Sequence, residues 1–134
     1  MAVARRLLVH TGDLRLAIDV AHVREIAVMP DLIPLPNGPA AALGVALLRG
    51  ELTPVIDLGR LIDPAAARAA PTRIVSLVSP SAALAVEHVE ALELTDDEAP
   101  FSLQIEGRRR PYDLPQVLDR CFEDAWRQVR TATT

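Results

Sequence analysis

The side chains that could perform catalysis or bind a metal are few, and their spacing gives no recognised motif. His10, His22 and His88 each stand alone on a predicted strand or turn, without a second ligand at the spacing of a metal site. The single cysteine, Cys121, has no nucleophile signature around it, and no serine lies in an elbow motif. No glycine-rich phosphate loop is present. The sequence therefore predicts no catalytic residue, no metal site, no cofactor and no enzymatic activity.

Four carboxylates could in principle supply an acid–base pair. Asp19, Asp57, Glu87 and Asp113 all lie at the ends of predicted strands or just before predicted helical turns. Such positions are typical of capping residues, whose side-chain oxygens accept hydrogen bonds from free backbone N–H groups. Capping is therefore the simpler interpretation, and it leaves binding rather than catalysis as the expected function.

Arg49 is the charged residue whose position most needs an explanation. It follows an apolar strand and precedes Gly50, which supplies the backbone freedom that a chain reversal needs. A guanidinium at the end of an apolar face needs a carboxylate partner, because an unpaired buried charge is costly. Glu25, on another predicted strand, is the partner that we expect. The alternative is that Arg49 points into solvent at the turn.

The elements that would position these residues are mostly short strands. Residues 44–48 and 52–58 form a central hairpin around Gly50, and Pro54 predicts that the second strand lies at a sheet edge or carries a bulge. Residues 14–20 alternate between apolar and polar, which is typical of a half-buried strand. Apolar patterns predict further strands at 7–10, 23–28, 72–78, 82–86 and 90–94.

The C-terminal segment is the one strong helix, predicted at residues 114–130. Asp113 can cap it, and Pro115 is tolerated in a first helical turn. An apolar stripe with helical spacing should pack on the domain itself rather than on a partner helix. Its members are Leu114, Val117, Leu118, Cys121, Phe122, Ala125, Trp126 and Val129.

Composition limits the class of protein. The chain has 134 residues, is 50% hydrophobic and only 3% aromatic, so one domain with an aliphatic core is expected. A net charge of −4 argues against nucleic-acid binding. The single cysteine fits a reducing compartment, and no apolar run reaches the ~18 residues of a membrane span. We expect a cytoplasmic protein that does not insert into the membrane.

Two segments of the chain repeat. The sequence from Leu16 to Val23 is echoed from Leu84 to Val89, with two fewer residues between the acid and the histidine. Residues 50–62 are echoed by residues 107–118, so that Asp57 corresponds to Asp113. The repeat predicts two similar small β units, and since neither has residues enough for its own core, they should share a buried seam.

The central hairpin also carries a resemblance to a known family. Its motifs are Gly44, Arg49-Gly50, Pro54-Val55 and Asp57-Leu58, preceded by Val23-x-Glu25-Ile26 and Leu35-Pro36. In this order and spacing they resemble the CheW-like domain of bacterial chemotaxis coupling proteins. The resemblance implies two five-stranded β-barrels of SH3-like type with a groove between them, a shared core, and a C-terminal helix. We expect one domain over residues 1–134, with subdomains at about 14–70 and 71–113 and residues 1–13 pairing into the second.

The resemblance also implies a function. CheW-like proteins are adaptors that bridge the cytoplasmic tip of a methyl-accepting chemoreceptor and the regulatory domain of a CheA-type histidine kinase, at membrane receptor arrays. By this resemblance Val20 and Val23 would line the receptor groove, and Glu25 and Arg49 would shape its rim. Gly44, Gly50, Pro54 and Asp57 would hold the hairpin.

Departures from the family pattern leave alternatives open. The second half is short, residues 101–105 must serve as one of its strands, and Ala83 stands where a glycine is common. A reduced second barrel would favour a divergent adaptor that binds only receptor or only kinase, for example in a gliding or pilus pathway. A small ligand-binding β domain or enzyme subunit is the third interpretation.

Overall fold

The computed structural model describes residues 4–35, 38–65, 69–95 and 99–133, with side-chain surroundings for residues 5–123 of these ranges. Within them the chain forms ten β-strands, a 3-10 turn and two α-helices. In chain order they are β1 (Ala4–Thr11), β2 (Leu14–Asp19), the 3-10 turn (Val20–His22), β3 (Val23–Val28), β4 (Ala42–Leu48), β5 (Glu51–Asp57), α1 (Leu58–Ile62), β6 (Arg73–Leu77), β7 (Ala83–Val86), β8 (His88–Thr95), β9 (Phe101–Ile105), β10 (Arg108–Pro111) and α2 (Leu114–Thr133).

The strands form two five-stranded sheets. Sheet A has the order β10-β9-β2-β1-β8, and sheet B has the order β3-β6-β7-β5-β4. Neighbouring strands are antiparallel except β5 and β7, which are parallel. This confirms the mostly β fold with two five-stranded units and a C-terminal helix. Since the first and last strands of each sheet are not paired to one another in the described residues, the units are sheets rather than barrels closed by backbone hydrogen bonds.

The two sheets do not divide the chain at the predicted subdomain boundaries of 14–70 and 71–113. Strand β2 lies in sheet A between β1 and β9, whereas β6 and β7 lie in sheet B beside β3 and β5. Sheet A therefore takes two strands from the first half of the chain and three from the second, whereas sheet B takes three from the first half and two from the second. The repeat identified which strands correspond to one another. The predicted boundaries were wrong because they grouped β2 with β3–β5, and β6 and β7 with β8–β10.

The chain crosses between the sheets twice. The first crossing is the 3-10 turn Val20–His22, which leads from β2 in sheet A to β3 in sheet B. The second crossing is Glu87 alone, which separates β7 in sheet B from β8 in sheet A. These crossings correspond to the two copies of the shorter sequence repeat, and the two missing residues account for the absence of a 3-10 turn at the second.

The second unit is not reduced. The predicted strand at residues 101–105 is confirmed as β9, which pairs with both β2 and β10 and gives sheet A its five strands. Its hairpin with β10 turns at Glu106 and Gly107, with φ of 51° and 78°, as the central hairpin turns at Arg49 and Gly50, with φ of 51° and 80°. Two consecutive positive φ values at a two-residue loop match the twist of the flanking strands.

The seam between the sheets is the main core. Side chains from sheet A, including Leu16 and Ile18, pack with side chains from sheet B, including Val75 and Leu84, in one cluster of buried aliphatic residues. A second cluster, Ala46, Val55, Ile74, Ala83 and Ala85, occupies the other face of sheet B. Because both faces of its central strands are buried, these strands are continuous apolar runs rather than alternating ones.

Helix α2 covers one side of the main core. Its predicted start is confirmed, because Asp113 Oδ1 accepts a hydrogen bond from Gln116 N at 3.1 Å, and its backbone extends to Thr133. Leu114 and Leu118 are fully buried and Phe122 packs against the cluster. The last three members of the predicted stripe, Ala125, Trp126 and Val129, lie outside the described side chains.

Candidate functional site

The predicted ion pair between the central hairpin and β3 is present. Arg49 Nε lies 3.4 Å from Glu25 Oε2, with 63% of the arginine side chain and 26% of the glutamate side chain exposed. Arg49 has a left-handed backbone in the turn rather than a place on the apolar face of β4. The two interpretations of Arg49 were therefore each half right, because it is an exposed turn residue that also pairs with Glu25.

Strand β3 holds Glu25 in place beside β6. Glu25 is opposite Ser76, whose hydroxyl donates to the Glu25 carbonyl oxygen at 3.4 Å, and the strand pairing is interrupted between Val23 and Glu25. A second ion pair also joins β3 to the central hairpin, with Arg24 Nη1 at 3.5 Å from Glu51 Oε2. Two side-chain ion pairs therefore connect β3, one edge of sheet B, with the hairpin that forms the opposite edge.

The two valines predicted to line the groove lie in the first crossing and at the start of β3, the strand that carries Glu25. Val20 is 38% exposed in the 3-10 turn, whereas Val23 is half-buried and packs against the main core. Val78, which the sequence analysis did not single out, is 49% exposed, and its N–H donates to the His22 carbonyl oxygen at 2.9 Å. We refer to Val20, Val23, Val78, Glu25 and Arg49 as the crossing surface.

Gly44 and Gly50 meet different requirements of the hairpin. A Cβ on Gly44 would lie 2.6 Å from the carbonyl oxygen of Ile33, which bridges to β4, so this position needs glycine for the close approach of two backbones. A Cβ on Gly50 would meet no atom within 4 Å, and there only the positive φ favours glycine. Both residues hold the hairpin as expected.

Of the two alternatives predicted from Pro54, an edge position or a bulge, the edge position is wrong. Strand β5 lies between β4 and β7, and Pro54 is opposite Val45 in β4. The pairing with β7 begins only at Val55, so the missing N–H falls just before the ladder that would need it. The β4–β5 register does shift nearby, between Ala42 and Gly44.

The candidate acid–base carboxylates mostly serve as caps. Asp57, which is buried, accepts from Arg60 N at 3.3 Å and begins α1, and its Oδ2 lies 3.7 Å from Arg60 Nε. Asp19 accepts from Ala21 N at 3.0 Å in the first crossing. Together with Asp113 these confirm three of the four capping predictions. Glu87 instead accepts from the backbone N–H of a distant loop residue.

Sheet A has its own ion pair across its edges. Arg109 Nη1 on β10 lies 2.7 Å from Glu93 Oε1 on β8, with both side chains about one-third exposed or less. This ion pair corresponds to the Arg49–Glu25 contact of sheet B. In sheet A the arginine lies on the β9–β10 hairpin and the glutamate on β8, the strand before it, and in sheet B the arginine lies on the β4–β5 hairpin and the glutamate on β3, the strand before it. The basic run at residues 108–110 therefore contributes one arginine to an ion pair between the edge strands of sheet A.

Two further groupings were missed by the sequence analysis. Arg6 on β1 is fully buried, and it donates hydrogen bonds to the Ser102 hydroxyl, at 2.9 Å, and to the Ala99 carbonyl oxygen. His10 and His88 were predicted to stand alone, but their ring centroids are 4.4 Å apart. Both misses have one cause, because the contacts depend on pairings between strands that are distant in the chain.

These features define a class of protein. The described residues form a two-sheet aliphatic scaffold with an exposed apolar surface at the point where the chain crosses between sheets. No described helix is both long enough and apolar enough to span a membrane. A scaffold of this kind is suited to binding other proteins.

The comparisons with known proteins show the family. Residues 5–111 match the model of the CheW-like domain, and the chain therefore belongs to the CheW-like domain family. It is also similar to Protein FrzA of Myxococcus xanthus, with 42% identity over 60 residues, which are 45% of this chain and 38% of FrzA. The match thus spans well under half the length of that relative.

A solved structure supports the fold. The crystal structure of the scaffolding protein TtCheW from Thermoanaerobacter tengcongensis is similar to this chain with a TM-score of 0.65 and 16% sequence identity. The similarity covers 81% of this chain and 86% of TtCheW. The architecture of two five-stranded sheets is therefore shared across a large sequence distance.

Proposed function

We propose that this chain is a CheW-like adaptor that couples the cytoplasmic tip of a methyl-accepting chemoreceptor to the regulatory domain of a CheA-type histidine kinase. Membership of the CheW-like family supports an adaptor role. The observation that carries the proposal is the crossing surface, which combines the exposed Val20 and Val78 at the first crossing with the Glu25–Arg49 ion pair between β3 and the central hairpin. Such an apolar strip with a charged rim fits the apolar face of a helix from the receptor tip.

The mechanism would be thermodynamic coupling without chemistry. An adaptor that contacts receptor and kinase together transmits a signal when its contacts differ between two states of the receptor. Because the first crossing connects β2 of sheet A to β3 of sheet B, a receptor bound there would lie at the junction of the two sheets. We place the protein in the cytoplasm, recruited to membrane receptor arrays.

Arg49→Ala tests the role of the ion pair. The substitution leaves Glu25, which is largely buried, without its arginine and should weaken receptor binding by about 10- to 100-fold, the loss expected for one charged contact. Stability should fall by no more than ~1 kcal/mol, because Arg49 is mostly exposed. Binding of the full chain to a purified receptor-tip hairpin is measured by isothermal titration calorimetry, and stability by urea unfolding.

Arg109→Ala is the matched control. It removes the same charge and an ion pair that also joins two edges, but in sheet A. Receptor affinity should remain near that of the parent. If Arg49→Ala bound the receptor hairpin as the parent does, or if both variants lost affinity equally, the assigned role of the pair would be wrong.

Separate binding assays with the receptor hairpin and the kinase regulatory domain test the adaptor function itself. The proposal requires that the parent chain bind each partner alone and both together in a ternary complex. Binding to only one partner would replace the proposal with a single-partner role, and binding to neither would overturn it.

A further inference from the structure

Three side chains that could ligate a metal meet at the second crossing. His10, Glu87 and His88 each offer one ligand atom, and these atoms all lie within 4.8 Å of one another. His10 on β1 is opposite His88, the first residue of β8, and Glu87 is the crossing residue itself. Two imidazoles and a carboxylate form a donor set that suits zinc and neighbouring late transition metals.

One donor atom of this cluster is in an unfavourable position without a ligand. His10 Nδ1 is inaccessible to solvent and has no hydrogen-bond partner among the described residues. It lies 3.7 Å from Glu87 Oε2, which is too long for a hydrogen bond. A buried polar atom without a partner is costly, and a bound cation would supply the partner that this atom lacks.

The carboxylate is held in place by its surroundings. Glu87 Oε1 accepts from Ala69 N at 3.2 Å, which leaves Oε2 on the His10 side. The Glu87 backbone N–H donates to the His10 carbonyl oxygen at 3.1 Å, and the Thr72 hydroxyl donates to the Glu87 carbonyl oxygen. Such outer hydrogen bonds orient a ligand and typically contribute about 10- to 100-fold to metal affinity.

The neighbouring charges do not oppose a cation strongly. Arg15, which is opposite His10 on β2, is paired with Glu90, with Nε to Oε2 at 2.8 Å. The Glu90 carboxylate therefore offsets the guanidinium charge beside His10. Because metal ligation uses the neutral form of imidazole and the carboxylate form of glutamate, the three ligands would bring one negative charge to the cation.

We propose that His10, Glu87 and His88 form a binding site for one Zn²⁺ or similar late transition-metal ion that ties β1 to the second crossing. Bonds of ~2.0–2.2 Å to a tetrahedral ion separate its ligands by roughly 3.4 Å, so the side chains must close by about 1.5 Å or less. His88 is exposed and Glu87 half-buried, so rotation of side chains can supply this closure. Water would complete the coordination.

Calorimetry and thermal unfolding of the full chain test the site. After treatment with a chelator, ZnCl₂ should bind with a stoichiometry of one, and an excess of ~100 times the dissociation constant should raise the Tm by roughly 5–10 °C. Mg²⁺ should produce no shift, because imidazole ligands disfavour it. Visible absorption of the Co²⁺-loaded chain should show the strong bands of tetrahedral coordination.

Single substitutions identify the ligands. His88→Gln, at an exposed position that should not disturb folding, and Glu87→Gln should each weaken zinc binding by more than ~10-fold. His22→Gln is the matched control, because the His22 ring packs against Phe101 and lies outside the cluster. Cys121→Ser should also bind zinc as the parent does.

The opposite pattern would overturn the inference. A parent chain that shows no zinc-dependent Tm shift, or zinc binding that survives His88→Gln and Glu87→Gln, would mean that the cluster is only a His10–Glu87 ion pair. Loss of binding in His22→Gln or Cys121→Ser to the same extent would assign the metal elsewhere. The outcome of these zinc-binding experiments does not depend on whether the chain binds a receptor or a kinase.

Discussion

Gly44→Ala should destabilise the protein by about 2–4 kcal/mol, because it acts at the closest backbone approach in the central hairpin. The new Cβ would lie 2.6 Å from the Ile33 carbonyl oxygen. That oxygen accepts a hydrogen bond from Val45 N at 2.8 Å, and the Val45 carbonyl oxygen accepts one from Ile33 N at 2.8 Å. To make room for the new methyl group Ile33 must move, and this movement breaks both of its backbone hydrogen bonds to Val45.

The magnitude follows from two contributions. Alanine at the Gly44 φ of +151° adds backbone strain of about 1–3 kcal/mol. Each lost backbone hydrogen bond contributes about 0.5–1.5 kcal/mol, although water can replace part of this at an exposed segment. Ile33 is 57% exposed, so we place the expected loss in the lower half of the combined range.

Urea unfolding followed by far-UV circular dichroism measures the effect, with Gly50→Ala as the control. Gly50 also has a positive φ of 80°, but its added Cβ would meet nothing within 4 Å. The control should therefore lose only the left-handed strain of about 1–2 kcal/mol. Equal unfolding midpoints for the two variants, with an unchanged m-value, would refute the argument that the Ile33 bridge is a rigid part of the hairpin.

Two further predictions concern single side chains. Asp57→Ala should lower the free energy of unfolding by about 1–2 kcal/mol because α1 loses its cap, whereas Asp57→Asn should retain most of it; equal urea midpoints for the two variants would contradict this. Burial raises the pKa of Tyr112, so the folded state favours the neutral phenol and stability is lost as the pH rises above 10.0 and through the higher folded value. Because the chain has one tyrosine, absorbance at alkaline pH measures this directly, and an unshifted titration would contradict it.

The sequence predicted the local elements well because their signals are local. The alternation of apolar residues in β2 and the helical stripe of α2 are readable from neighbours along the chain, and so is the turn at Gly50. The Arg49–Glu25 pair was predicted because a charge beside an apolar strand needs a partner, and Glu25 lies on a separate predicted strand, at residues 23–28.

The sheet membership of the strands could not be predicted in the same way. Whether β2 pairs with β9 or β6 depends on contacts between segments that are far apart, and the alternation pattern is the same in either case. The same limit hid the His10–His88 contact, which exists only because β1 pairs with β8. The edge position predicted from Pro54 was wrong for a related reason, since the first four residues of β5, Glu51 to Pro54, extend beyond the ladder with β7.

The two crossings explain why similar sequences at Leu16–Val23 and Leu84–Val89 present different chemistry. At the first, two additional residues form the 3-10 turn, so Val20 faces solvent while Asp19 accepts from Ala21 N. At the second, those residues are absent, and the Glu87 N–H bonds instead to His10 on β1.

The shorter crossing therefore places Glu87 and His88 next to His10 on β1. The longer crossing leaves Val20 exposed. Inserting Val-Ala after Glu87, to copy the first crossing, should consequently abolish zinc binding while the Glu25–Arg49 pair and receptor affinity persist. Zinc binding that survived this insertion would show that the length of the crossing does not create the site.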